Sequence, residues 1–249
     1  MRRDWEDRAR RNAFHYIASW KEEWDVEEFL QSGEDDYLTL VAPILERCGL
    51  EKSGGLMLEL GCGAGRMTGS FAQRYGCVIA VDLSVEMLKR AVRIHASSPN
   101  ILWLRVGGAN LASLKSETVS FAFSYLVLQH LPSEELVEGY VDEMLRVLHP
   151  GGIFLFQFNG SNAPTMNWRG RMAWGVVDAL RSSRMAPLSR AAALLMGLDS
   201  RAAGKSWRGA AVPARRIASL VQSSGGEIRE IAGENTPMAW CCGTKKIHS

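Results

Sequence analysis

The chain has 249 residues, of which 47% are hydrophobic and 22% are charged, and its formal net charge is +2. These values are typical of a globular protein, and the length fits one α/β domain with an elaboration better than two independent domains. The longest apolar run, residues 191–198, is far too short to cross a bilayer. The charged segment at residues 1–8 lacks the apolar core of a secretory signal peptide.

The cysteines predict a reduced protein. There are five, an odd number, and none stands in a C-x-x-C pattern, which argues against a disulfide framework or a zinc site. Cys48, Cys62 and Cys77 lie on or beside apolar segments, and Cys241 and Cys242 are expected to point to opposite faces of a strand. We therefore expect a cytoplasmic protein without a metal site.

Residues 1–50 are predicted to be helical. A second helix is expected over residues 37–48, bent near Pro43. An irregular apolar stripe precedes it, formed by Trp5, Phe14, Ile17, Trp20 and Trp24.

Strand and helix patterns then alternate, as a parallel sheet requires. A helix is predicted from Ser133 to about Leu148, and another from Pro213 to Gly225. An antiparallel pair of strands is predicted to close the sheet, at residues 227–232 and 238–244. The preceding strands are predicted at residues 56–60, 77–82, 101–106, 118–124 and 153–159.

The segment 160–212 is too long to be a bare loop in a compact domain. Helix-compatible runs at 172–184 and 188–198 predict a small helical cap over a ligand site. From residue 160 to 216 the chain is strongly basic, which fits an anionic substrate, a nucleic acid, a membrane surface or simply a solvated helix face. Only Asp178 and Asp199 oppose ten cations, which are Arg169, Arg171, Arg181, Arg184, Arg190, Arg201, Lys205, Arg208, Arg215 and Arg216.

The most informative segment is Leu58–Arg66, a strand that ends in glycines at positions 61, 63 and 65. Asp82 ends the next predicted strand, where a carboxylate can bind both hydroxyls of a ribose. The spacing is G-x-G-x-G, whereas a dinucleotide site requires G-x-G-x-x-G. Glu59 is unfavourable beside a pyrophosphate but suits the ammonium of a methionine. The segment therefore favours S-adenosylmethionine (SAM) over a dinucleotide.

These residues resemble the class I SAM-dependent methyltransferases with a domain of the methyltransferase 11 or 25 type. The resemblance continues in order through Leu83–Ala91, Phe121–Pro132 and Glu143–Phe154. It implies a Rossmann-like seven-stranded, mostly parallel sheet with an antiparallel closing hairpin, N-terminal helices and a helical cap inserted after strand 5. The domain division is then an N-terminal segment (1–50) covering the site, a SAM-binding core (51–159 and 213–249) and a basic acceptor-binding cap (160–212).

The resemblance also implies how SAM is bound and that S-adenosylhomocysteine (SAH) is the product. The glycines would wrap the methionine and ribose, Glu59 would lie near the amino group, and Leu83 and Met87 would flank the adenine. Many relatives carry an acid where Gly108 stands, so contact with the adenine amino group would pass to Asn110 or to the backbone. The expected cofactor residues are Glu59, Gly61, Cys62, Gly63, Gly65, Arg66, Asp82, Leu83, Met87, Gly108, Ala109, Asn110, Leu111, Tyr125 and Leu126.

His130 is the leading candidate for a catalytic base because it follows the fourth strand, where the reacting end of the ligand is expected. A scaffold role in the loop before Pro132 is an equal alternative. His15 and Tyr16 are secondary candidates, because the N-terminal helix often covers the site in related enzymes. We expect His95, His149 and His248 to be peripheral, and Trp168, Trp174, Trp207 and Trp240 to be candidates for shaping the acceptor site.

The absence of several motifs narrows the range of possible methyl acceptors. No Asn/Asp-Pro-Pro-Tyr/Phe, Pro-Cys or metal-ligand pattern follows the fourth strand, which disfavours methylation of base nitrogens, of cytosine C5 and of catechols with magnesium. We expect methyl transfer to oxygen or nitrogen of a small molecule that carries a phosphate or carboxylate. The alternatives are a tRNA or rRNA methyltransferase, a nicotinamide oxidoreductase and a non-catalytic SAM-binding partner. Peripheral membrane contact and the oligomeric state stay open.

Overall fold

A computed structural model describes residues 1–50, 54–108, 110–161 and 209–247. Most of the expected cap, residues 162–208, lies outside these ranges together with Trp168, Trp174 and Trp207, and so do Ala109 and His248. The two helical runs expected inside the cap therefore stay predictions.

One seven-stranded sheet passes through the described chain in the order β3-β2-β1-β4-β5-β7-β6. Strands β1 to β5 pair in parallel, whereas β7 runs antiparallel to both β5 and β6. This arrangement confirms the predicted mostly parallel sheet and its closing hairpin. The strands are β1 (Leu56–Leu60), β2 (Cys77–Asp82), β3 (Ile101–Arg105), β4 (Val119–Ser124), β5 (Leu148–Phe158), β6 (Gly226–Ala232) and β7 (Ala239–Lys245).

Helices cover both faces of the sheet. Three of them precede the first strand along the chain. The N-terminal helices predicted for residues 1–50 are confirmed, and a single π-helical turn, Tyr37–Val41, joins the second to the third. Within the described ranges, no helix is long and apolar enough to cross a membrane. In chain order they are α1 (Arg2–Ile17), α2 (Val26–Asp36), α3 (Ala42–Arg47), α4 (Thr68–Ala72), α5 (Val85–Ile94), α6 (Glu134–Val147) and α7 (Ala214–Ser223).

Burial on both faces explains why the strands are nearly continuous apolar runs. Successive side chains alternate between two core layers, with Leu58 in one and Met57 in the other. Cys241 and Cys242 divide in the same way and are both buried, which confirms that they point to opposite faces. All five cysteines are free thiols.

Helix α1 is broken at Asn12, whose backbone leaves the helical region (φ −162°, ψ 87°). The Asn12 side chain accepts a hydrogen bond from the His15 amide (3.2 Å) and donates one to the Glu22 carbonyl (3.0 Å). Asn12 therefore caps a new helical turn, as asparagine does at helix N-termini. The break lets α1 curve over one edge of the sheet.

Strand β5 begins at Leu148, five residues earlier than predicted. The sequence Pro150-Gly-Gly indicated a loop, but Leu148 pairs with Val119 of β4, and the register shifts before Phe121 pairs with Ile153. The early start depends on this non-local pairing, so the local sequence could not show it.

Helix α2 approaches the glycine loop most closely at Gly33. A Cβ on Gly33 would lie 2.0 Å from the carbonyl oxygen of Arg66 and 2.6 Å from its carbon. Both contacts are with backbone, so a larger residue cannot be relieved by rotating a side chain. Glycine at this position sets the distance between α2 and the loop.

We therefore expect Gly33→Ala to destabilise the protein. The steric clash costs about 1–3 kcal/mol, whereas the better helix propensity of alanine offsets only about 1 kcal/mol. Because the clash is with backbone, we expect the upper end of this range, so the free energy of unfolding in urea should fall by about 2 kcal/mol. Gly107→Ala is the matched control, because no described atom lies within 4 Å of its added Cβ. An unchanged midpoint for Gly33→Ala would contradict this packing.

Candidate functional site

The glycine loop between β1 and α4 lies at the carboxyl edge of the sheet, where open α/β sheets bind ligands. Gly61, Gly63 and Gly65 all have positive φ angles, of 78°, 57° and 85°. Only glycine adopts such angles readily, which explains the residue choice. A Cβ on Gly61 would lie 2.2 Å from Val127 Cγ2, so the loop after β4 packs directly against the glycine loop.

Asp82, at the tip of β2, joins the loops that follow β1 and β2. Its Oδ2 accepts a hydrogen bond from the Gly63 amide (2.9 Å), and its Oδ1 accepts one from the Ser84 amide (2.8 Å). Burial raises the pKa of Asp82 more than these hydrogen bonds lower it. A carboxylate has about four acceptor sites, so these two bonds leave capacity for hydroxyl groups.

Glu59 is a buried carboxyl group within β1, at 5% exposure. Its Oε2 accepts a hydrogen bond from the Thr68 hydroxyl (2.5 Å). Burial is the main cause that raises its pKa to about 7; Thr68 and Arg66 act in the opposite direction, and Asp82 adds to the rise. A carboxyl group whose pKa is raised in this way is typical of functional sites.

Leu83 and Gly108 lie next to each other. A Cβ on Gly108 would be 3.0 Å from Leu83 Cδ1. Met87 is buried against α1. Asn110 is exposed, and its Oδ1 accepts a hydrogen bond from the Ala112 amide (3.2 Å). Cys62 is buried, and burial raises the pKa of its thiol well above the ordinary value.

Two expected cofactor residues have other partners. The guanidinium of Arg66 points to α2, where it binds Asp36 Oδ2 (2.6 Å) and the Ser32 carbonyl (2.9 Å). Leu111 is fully buried in the core, and its amide donates to Glu143 (2.7 Å). Both side chains hold the scaffold together in this way, and their contact with a cofactor stays a prediction.

The segment after β4 carries Tyr125, Leu126 and His130. Leu126 has a positive φ of 58°, a strained conformation for a residue with a side chain. Its amide donates to Oε1 of the buried Gln157 (3.2 Å), and Gln157 in turn donates to Gln129 (3.3 Å). The side-chain nitrogen of Gln129, Nε2, lies 3.3 Å from His130 Nε2. These linked polar side chains hold the loop in place. Gln157 was not among the predicted site residues, although a glutamine within an apolar strand is unusual.

Helix α1 covers this edge at three points. The Trp5 ring meets the His130 ring edge-on with centroids 5.6 Å apart, and a Cβ on Gly63 would lie 2.8 Å from Ile17 Cδ1. Glu6 caps α5 by accepting hydrogen bonds from the Val85 amide (2.9 Å), the Glu86 amide (3.1 Å) and the Ser84 hydroxyl (3.0 Å). Partial burial raises the pKa of Glu6, but these donors outweigh it and hold the pKa below its ordinary value.

The other candidate side chains divide between the edge and the scaffold. His15 Nδ1 lies 3.0 Å from the Lys21 carbonyl, and Tyr16 stacks under Arg8 at 5.1 Å. Trp240 stacks on Tyr125 with centroids 5.1 Å apart. His149 Nδ1 lies 2.7 Å from the carbonyl of its neighbour Pro150. The catalytic roles of His130, His15 and Tyr16 stay predictions.

His95 is not peripheral, as the sequence had indicated, but buried beneath the glycine loop. Its Nε2 lies 2.8 Å from the Gly65 carbonyl. A Cβ on Gly65 would lie 2.8 Å from the His95 ring, so this glycine packs directly against the imidazole. Burial lowers the pKa of His95. A neutral imidazole therefore supports the loop from behind.

The two described ends of the 162–208 segment lie beside His130. The Gly209 amide donates to the Gln129 carbonyl (2.6 Å), and the Ala210 amide donates to the Leu131 carbonyl (2.8 Å). Asn159 Nδ2 donates to the Gly209 carbonyl (3.4 Å). The chain thus leaves and returns at the carboxyl edge, where the cap was expected.

A separate polar cleft of about 670 Å³ lies behind the loop. It opens between α2, α4 and the segment before β3, and Glu27, Gln31, His95 and Ser98 contribute to its lining. It does not include Glu59, Asp82 or His130, so it is distinct from the carboxyl edge. No cluster of metal-ligating side chains occurs among the described residues.

Comparison with known proteins finds a methyltransferase domain within the chain. A model of the methyltransferase domain matches residues 58–156. Phosphoethanolamine N-methyltransferase 1 of Zea mays is 30% identical over 106 residues, which cover 42% of this chain but only 21% of that protein. The ubiquinone biosynthesis O-methyltransferase of Klebsiella pneumoniae is 29% identical over 190 residues, covering 73% of this chain and 70% of that protein.

The fold is also similar to that of a solved methyltransferase. The magnesium protoporphyrin IX methyltransferase of Synechocystis PCC 6803, solved with bound SAH, superposes with a TM-score of 0.61 at 15% identity and covers 99% of this chain and 100% of that one. Residues 58–156 therefore match the methyltransferase domain, and the chain has the fold of the class I SAM-dependent methyltransferases.

Proposed function

We propose that this protein transfers the methyl group of SAM to an oxygen or nitrogen atom of a small-molecule acceptor at the carboxyl edge of its sheet. The observation that carries the proposal is the Asp82 carboxylate, held between the amides of Gly63 and Ser84 beside the buried Glu59. The match to the methyltransferase domain favours SAM over the nicotinamide cofactor of the alternative oxidoreductase.

The residues of the edge fit SAM. Asp82 has acceptor capacity for the ribose hydroxyls, and the adjacent Leu83 and Gly108 offer an apolar surface for the adenine. Glu59, Asp82 and Glu6 concentrate negative charge around one edge, and a cationic ligand would relieve their mutual repulsion. Gly61 and Gly63 let the backbone approach where side chains would obstruct it.

The chemistry requires little of the protein beyond positioning. SAM supplies a methyl group that its sulfonium already activates. The covering helix α1 and the loop after β4 exclude water and orient the acceptor. His130 at the end of β4 would accept a proton from an acceptor hydroxyl or ammonium group, with Trp5 and Gln129 fixing its ring. His15 and Tyr16 are the secondary candidates for this role.

A small-molecule acceptor agrees with the names of the relatives, which cite phosphoethanolamine and ubiquinone biosynthesis. The basic residues expected in the cap support a phosphate or carboxylate on the acceptor and still allow a membrane surface or RNA. A tRNA or rRNA methyltransferase would bind RNA with steep salt dependence. The five free cysteines, three of them buried, support a reducing, cytoplasmic setting.

The cofactor site is tested by calorimetric titration with SAH. We expect wild type to bind, and Asp82→Asn to bind at least about tenfold more weakly, because an amide cannot accept as many hydroxyl hydrogen bonds. Asp35→Asn, at an exposed position of α2, is the matched control and should bind like wild type. Equal affinities for wild type and Asp82→Asn, or no binding to wild type, would contradict the proposed site.

Glu59 should make SAH binding depend on pH. Its pKa of about 7 in the free protein means that it is largely protonated below that pH, whereas an ammonium group favours the ionised form. Affinity should therefore rise between about pH 6 and pH 8, by at most about tenfold per pH unit. Glu59→Gln should remove this slope and Glu27→Gln should preserve it. A flat profile in wild type, or the same slope in Glu59→Gln, would contradict the role of Glu59.

His130 is tested by screening amine and hydroxyl acceptors, including phosphoethanolamine, with labelled SAM. A catalytic base predicts that His130→Ala lowers kcat about 10²–10⁴-fold with unchanged SAH affinity. It also predicts loss of the acidic limb of the pH–rate profile. His149→Ala is the control. A change in rate below about threefold would assign His130 to the scaffold alone.

A further inference from the structure

Arg8 of α1 is an unusually enclosed cation. Its guanidinium carbon lies 4.9 Å from the Trp5 ring centroid and 5.1 Å from that of Tyr16, so the group is held between two aromatic rings. The side chain is 14% exposed, whereas that of Arg10, two residues later, is 61% exposed. Aromatic rings on both sides of a guanidinium restrict its rotation and fix the plane of its donors.

Arg8 is also placed at the candidate active site. The Trp5 ring on which it stacks contacts His130 on its other side, with ring centroids 5.6 Å apart. Tyr16, the second ring, precedes Ile17, which covers Gly63 of the glycine loop. Arg8 therefore shares a ring contact, through Trp5, with the histidine that would face the acceptor.

One edge of the Arg8 guanidinium has a partner. Nε lies 3.1 Å from Oδ2 of Asp4, whose side chain is 54% exposed. Among the described residues, none accepts a hydrogen bond from the two Nη groups. A guanidinium edge of this kind matches two oxygens of a phosphate or carboxylate, and such charge-assisted pairs are strong where water is scarce.

We propose that Arg8 binds an oxyanion of the methyl acceptor, a phosphate or a carboxylate, and so selects anionic acceptors. This inference rests on the proposed function, because it takes the edge covered by α1 as the place of methyl transfer. It locates the anion-binding group on the N-terminal helix, whereas the sequence directed attention to the cap. Arg8 would hold the acceptor at the end remote from the atom that is methylated.

The test is calorimetric titration of the SAH-saturated full-length protein with inorganic phosphate and, separately, with acetate at constant ionic strength. We expect wild type to bind one of the two anions. Arg8→Gln should weaken that binding at least about tenfold, and Arg8→Lys should weaken it less because the charge remains without the fork. Asp4→Asn should strengthen it by removing a competing carboxylate. Arg10→Gln, the exposed control on the same helix, should leave it unchanged.

The two titrations distinguish a phosphate ligand from a carboxylate ligand. Stronger binding of phosphate assigns a phosphate ligand, and stronger binding of acetate assigns a carboxylate. The inference is overturned if wild type binds neither anion, if Arg8→Gln binds like wild type, or if Arg10→Gln loses as much as Arg8→Gln. If Arg8→Gln does not fold, unchanged anion affinity in both Asp4→Asn and Arg8→Lys overturns it. SAH binding by wild type reports on the proposed function independently.

Discussion

The candidate site depends on one carboxylate, that of Asp82, held between backbone amides from two different loops. The Gly63 amide comes from the loop after β1, and the Ser84 amide comes from the loop after β2. The two hydrogen bonds fix the relative positions of the loops that would bind the ribose and the methionine. The same group then serves as scaffold and as ligand acceptor, which explains why an acid stands at a partly buried strand tip despite the cost of desolvation.

Negative charge is concentrated around this carboxylate. Asp82 raises the pKa of Glu59, and Glu6 raises that of Asp82, in both cases in addition to the larger effect of burial. Helix α1 brings Glu6 to the N-terminus of α5, where three donors stabilise its charge. The site is therefore prepared for a ligand that carries positive charge. Arg8, on a different face of the same helix, supplies the opposite charge toward His130.

The parts of the fold that the sequence predicted well are governed by local pattern. Strands β1 and β2 were placed at their observed bounds, because each is an apolar run that ends at a glycine loop or at Asp82. Features that depend on distant partners were not predicted. Arg66 is bound by Asp36, thirty residues earlier, and His95 is buried because Gly65 lies above it.

The same distinction explains what was missed at the site. Nothing in the local sequence around Glu6 or Arg8 distinguishes them from the other charged residues of α1; their roles follow from how the helix docks on α5 and beside His130. Gln157 was detectable in principle as a polar residue in an apolar strand, but its link to Leu126 required the pairing of β4 with β5. The acceptor is harder still to predict, because much of its expected surface belongs to residues 162–208.

The most direct test of the central claim is hydrogen–deuterium exchange of the full-length protein with and without SAH. We predict that SAH slows exchange in three places at once: the glycine loop at residues 61–65, the turn at 82–87 and helix α1 over residues 2–17. Strands β6 and β7 should be unaffected. Protection confined to the cleft between α2 and α4, or its absence from residues 61–65 and 82–87, would contradict the account.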